Sequence, residues 1–119
     1  MTEKTLATLS LLFKDVLCYC KEILNLLEQQ LESCTNDDYI VSIQRDIITI
    51  NNLINIVQAV ETDTANFKIG ASTELLLRIA VNDFQRKLEL IPEERKLQVK
   101  IMETLEIIHN EVKSFLVKK

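Results

Sequence analysis

A single glycine, Gly70, and a single proline, Pro92, punctuate the whole of this 119-residue chain. Average usage would place roughly eight glycines and six prolines in that length. Sandwiches, barrels and doubly wound α/β folds need both residues at their many turns, so a chain this poor in them has few turns and long elements. The expectation is an all-α fold: one domain over residues 1–119, folded as an antiparallel four-helix bundle. The length is sufficient to bury a continuous core without disulfides or a metal.

The core of such a bundle must be aliphatic, because 47% of residues are apolar and only 5% aromatic. With 27% charged residues the composition is that of a folded domain rather than a disordered tail. A net charge of −4 argues against a general binder of phosphate backbones, and no nucleic-acid partner is expected. Lys14 and Asp15 interrupt any apolar signal segment, and Arg78 breaks the run Leu75-Leu76-Leu77 long before it could cross a bilayer. A soluble, cytoplasmic protein with no membrane partner is therefore expected. Cys18 and Cys20 point about 200° apart on a helix and cannot pair. Together with Cys34 they read as small buried hydrophobes of a reducing compartment.

Apolar periodicity places helices at about 5–33, 36–63, 72–90 and 92–118. The first carries Leu6, Leu9, Phe13, Val16, Cys20, Ile23, Leu27 and Leu31, widened by Leu12, Tyr19 and Leu26. It gives way to a polar cluster in which Thr35 and Asp38 resemble a capping box. The second helix runs on a near-heptad seam of Ile40, Ile43, Ile47, Ile50, Ile54 and Val57. Its β-branched residues do not make it a strand, because the period is near 3.5 and not 2. A second stripe, Val41, Ile48, Leu53, Ile56 and Val60, makes this helix apolar on two sides and is the candidate interface for a protein partner or homodimer. Between the two stripes Asn51, Asn52 and Asn55 form a polar patch, either solvated or set to fix register at a helix interface. Gly70 is expected at a positive φ in the one substantial loop, and Ser72 as the cap of the third helix, with Glu74 in its first turn. That helix carries Leu76, Leu77, Ala80, Val81, Phe84 and Leu88. Pro92, Glu93 and Glu94 suit the first turn of the last helix, whose seam is Leu97, Ile101, Leu105, Ile108, Val112 and Phe115.

Chemistry-bearing patterns are few. Glu106 and His109 form an E-x-x-H at helical spacing, the ligand pair of carboxylate-bridged di-metal bundles. Such a site needs a second E-x-x-H and two more inward glutamates, and His109 is the only histidine, so the pair could serve only if completed across a dimer. Its ordinary reading is a histidine beside the seam with Glu106 in solvent. Nucleophilic catalysis needs a Ser or Cys near a base held by a third group, and nothing glycine-rich is present to build an elbow or oxyanion loop. One glycine makes neither a P-loop nor a dinucleotide fingerprint. The acidic pairs Asp37-Asp38 and Glu93-Glu94 stand at helix starts, where capping explains them. No catalytic residue, cofactor, resident metal or small-molecule substrate is expected.

One stretch carries a family resemblance. Leu53-Ile54-Asn55-Ile56-Val57-Gln58-Ala59, Asn66 seven residues later, and Glu74-Leu75-Leu76-Leu77-Arg78-Ile79 follow one another at a distinctive spacing. Residues 11–79 are similar to the C-terminal collar domain of bacterial DNA polymerase III clamp-loader subunits, with Leu11-Leu12-Phe13-Lys14-Asp15 and Lys21 resembling its first helix. The chain departs from the family at Lys68 and Ile69, where an Asn-x-Asn-Pro is usual, and these residues include no ATPase portion. The resemblance implies an oligomerising helical domain. Both routes lead to the same expectation, a non-enzymatic helical interaction module that self-associates.

Overall fold

The computed structural model describes residues 3–66, 68–86 and 92–118. Among them are four helices and no strand: α1 (Glu3–Ser33), α2 (Asp37–Ala65), α3 (Ala71–Arg86) and α4 (Pro92–Lys118). The fold is all-α, as the scarcity of turn-formers requires. The expected boundaries hold to within two residues at every end that lies in the described segments; the expected end of helix 3 near residue 90, with Leu88, lies outside them.

The caps differ in detail from expectation. α2 is opened by Asn36 rather than Thr35. Its backbone is extended (φ −90°, ψ 117°), and its Oδ1 accepts from the N–H groups of Asp38 at 3.0 Å and Tyr39 at 3.3 Å. Asparagine outranks threonine at this position, and Asp37 and Asp38 then fall in the first turn, where the helix dipole favours them. α3 opens before Ser72, which is exposed inside the helix. The Gly70 carbonyl accepts from the Glu74 N–H at 3.3 Å, and the Gly70 N–H donates to Thr73 Oγ1 at 3.2 Å. Thr73 thus makes the returning bond of a capping box, the role usually given to Glu or Gln. Gly70 is not in the left-handed region, contrary to expectation, and a Cβ there would meet nothing within 4 Å. It is a helix cap, which needs extended backbone, and not the left-handed turn.

Each helix packs on two others: α1 on α2 and α4, and α3 on the same pair, with α1 making the broader contacts. Named contacts show which ends meet. Gln30, late in α1, donates through Nε2 to Glu94 Oε2, early in α4. Leu6 and Ser10 share a hollow with Glu61 and Thr64, and Lys4 and Thr8 share another with Ile107 and Glu111. Gln98 Nε2 donates to the Phe84 carbonyl at 3.2 Å.

All four helices feed one hydrophobic core. α1 buries Leu9, Phe13, Val16, Cys20, Ile23 and Leu27, and α4 buries Ile101, Leu105, Ile108 and Val112, on the seams the periodicity identifies. α3 contributes Leu77, Ala80 and Phe84. Each of the larger side chains contributes roughly 1.5–3 kcal/mol by leaving water. In α2 the buried line is Ile43, Asp46, Ile50, Leu53, Val57, Val60 and Thr64, a strict alternation of threes and fours. That line runs between the two stripes read from sequence, so Leu53 and Val60 belong to the core.

Candidate functional site

The lone histidine is where the structure gathers its charged chemistry. Gly70 and Thr73 set the start of α3, which places Glu74 on the flank of that helix facing α4. There Glu74 Oε1 lies 2.7 Å from His109 Nε2, and Glu74 Oε2 accepts from the Arg78 guanidinium at 2.6 Å. Glu74 and His109 are largely enclosed while Arg78 is more than half exposed. The hydrogen bond from His109 and then that from Arg78 hold the Glu74 carboxyl below the usual carboxylate range, against a smaller opposing effect of burial. The arrangement joins α3 to α4 and occupies the imidazole nitrogen nearest α3.

Glu74 stands in the first turn of α3 as expected, and it binds across helices as well. That bond also bears on Glu106, whose side chain is exposed, whereas the carboxylate bonded to His109 comes from α3. Among the described residues no group of three or more His, Cys, Asp or Glu side chains is placed to hold a metal ion. Next to His109 a groove of about 570 Å³ runs between α3 and α4, walled by Val81 and Gln85 on one side and Gln98, Met102 and Glu106 on the other. Its described lining holds no Ser, Thr, Cys or Lys, and hence no nucleophile for His109 to activate.

Two further acids are buried that sequence reasoning left at the surface or passed over. Glu94, fully enclosed, is bonded to Gln30 and lies in the first turn of α4. Asp46 is enclosed on the core line of α2. Nothing in a single sequence marks either one; the only signal is that Asp46 falls on the three-four alternation of its helix. Of the cysteines only Cys20 is buried, and desolvation pushes its thiol up to about 12. Cys18 is exposed and Cys34 intermediate, so the reading of all three as buried hydrophobes holds for Cys20 alone.

The five candidate interface residues do not share one face. Val41 and Ile48 are 53% and 61% exposed, on the outer side of α2. Leu53 and Val60 are buried, and Ile56 is partly buried against the core. At about 100° per residue the first two positions stand roughly 100° away from the last three, which is why one stripe divides into two. Asn51, Asn52 and Asn55 are exposed. No helix among the described residues is long and apolar enough to cross a membrane. Comparison with protein-family models, characterised proteins and solved structures gives no match to this chain.

Proposed function

We propose that this chain is a non-enzymatic helical protein–protein interaction module that self-associates, built as an antiparallel four-helix bundle and working in the cytoplasm. The observation that carries the reading is the exposure of Val41 and Ile48, one heptad apart on the outer side of a helix whose inner side already fills the core. Apolar side chains repeated at heptad spacing on an outer face are what a helix presents to another helix. The antiparallel topology is supported by the pairing of opposite ends, Gln30 with Glu94 and Leu6 with Thr64. An oligomerising collar, as the resemblance of residues 11–79 implies, is one form of the same reading. A catalytic role has less support, since the only imidazole is tied to Glu74 beside a groove whose described lining offers no hydroxyl, thiol or amine for it to activate. A metal shared across a dimer by Glu106 and His109 would have to use the remaining ring nitrogen.

Sedimentation equilibrium on the untagged chain, with co-purification from its native host, tests the reading. A concentration-dependent dimer is the expected result; a monomer with a stoichiometric protein partner keeps the interaction module and overturns its self-association. A strict monomer that captures no partner overturns it, and metal retained at stoichiometric level through purification would favour the shared-metal alternative.

A further inference from the structure

The outer face of α2 differs in kind from those of the other long helices. Lys14, Asp15, Lys21 and Glu22 are exposed on α1, and Lys96, Lys100, Glu103 and Glu106 on α4, so both carry charge along their outer sides. From Ile47 to Val60 α2 has no charged residue at all. Within and around that run the exposed positions Val41, Arg45, Ile48, Asn52, Asn55 and Ala59 are separated by 4, 3, 4, 3 and 4 residues. They fall within about 80° of one another on the helix and about 150° from the centre of the buried line. Depletion of charge distinguishes the centre of an interface from ordinary surface, and asparagine within a heptad stripe sets register and orientation rather than stability.

The content of the stripe names its partner. An asparagine amide is donor and acceptor at once, so asparagines complement asparagines. If a second α2 is laid antiparallel across this face on a two-fold axis at the level between Leu53 and Ile54, residue n stands opposite residue 107 − n. Ile48 then meets the partner's Ala59, a large apolar side chain against a small one. Asn52 meets the partner's Asn55. On one flank Arg45 comes level, within one residue, with the partner's Asp63, because in an antiparallel pair like flanks face each other. Arg45 and Asp63 both lie about 40° to the same side of Val41. Every pairing occurs twice, as a two-fold interface requires.

We propose that this face of α2 pairs antiparallel with the same face of a second copy of the chain, with Ile48, Asn52, Asn55 and Ala59 at its centre and Arg45–Asp63 pairs at its ends. This rests on the self-association reading above and gives it a surface, an orientation and a register.

The test is sedimentation equilibrium on the full chain and four variants, with circular dichroism to confirm that each stays helical. All the substituted positions are exposed or at the rim, so the fold tolerates them. Ile48→Glu places an unpaired charge at the centre and weakens the dimer about a hundredfold. Arg45→Asp and Asp63→Arg each set like charges opposite one another and weaken it about tenfold, and the two together restore it, because the swapped charges meet again across the two-fold. That rescue is specific to the antiparallel self-pairing. A dimer indifferent to Ile48→Glu and to both charge reversals overturns this face as the interface while leaving self-association standing. A chain that stays monomeric yet binds a different protein overturns the self-pairing and leaves the interaction module, and a monomer with no partner overturns both.

Discussion

Glu74 gives one carboxylate two hydrogen-bonding neighbours, Arg78 one turn along its own helix and His109 on the helix opposite. An unfolded chain offers the same carboxyl only water, with a pKa of about 4.3. The folded state holds it lower, with the His109 hydrogen bond the largest cause. The sign follows: its stabilisation is complete above the unfolded value and is lost as pH falls through the folded one. The denaturant midpoint of the natural chain should therefore fall more steeply on acidification below about pH 4.5 than that of Glu74→Gln, which keeps the shape and loses the charge. Parallel acid limbs in the two proteins would show that the carboxylate contributes nothing through its ionisation. The cysteines give a second test at this scale, because thiolate and not thiol reacts. With its thiol pushed up to about 12 by burial, Cys20 should resist a thiol reagent at about pH 8 until denaturant is added. Cys18, exposed on the opposite side of α1, should label in the folded chain, and mass mapping of the labelled peptide distinguishes them.

Between helices the telling bond is Gln30 to Glu94, which fastens the end of α1 to the beginning of α4 with an enclosed carboxylate. Gln30→Ala removes one hydrogen bond to that carboxylate, and the loss of a bond to a charged group costs about 1.5–3 kcal/mol, readable by urea denaturation. A change within a few tenths of zero would mean that other groups already satisfy Glu94. At the start of α3, Gly70 needs neither a positive φ nor the absence of a Cβ. Gly70→Ser should leave stability unchanged or raise it by a few tenths of a kcal/mol, since serine caps at least as well as glycine. A marked loss would restore the left-handed turn read from the sequence. These two sites mark where sequence reading reached and where it stopped. The seams of α1 and α4 were legible because strict three-four spacing of Leu, Ile, Val and Phe has one helical interpretation. α2 was ambiguous because apolar residues recur almost all round it, and only packing decides which line of positions points inward. The Gln30 partner of Glu94 and the His109 partner of Glu74 were not legible, since a bond between residues 64 or 35 apart depends on how helices are placed and not on any local pattern.

At the scale of the whole molecule, length and packing are distributed unevenly among the helices. α1, with 31 residues, extends about 46 Å, close to the 53 Å long axis of the structure, whereas the 16 residues of α3 extend about 24 Å. α3 also makes the narrower contacts, and the open groove of about 570 Å³ lies along its junction with α4. Little apolar burial per helix means a low free energy of local opening, so α3 should be the first helix to come away. The Glu74–His109 bond opposes that opening, as a polar bond at the edge of a loosely filled junction. Amide hydrogen exchange should accordingly find α3 exchanging faster than the centres of α1 and α2. His109→Gln should accelerate α3 further while leaving the middle of α1 unchanged. Equal exchange in all four helices would mean that the fold opens only as a unit. In that case the bond contributes to global stability alone, and the groove is a fixed feature of the surface rather than a seam along which α3 separates.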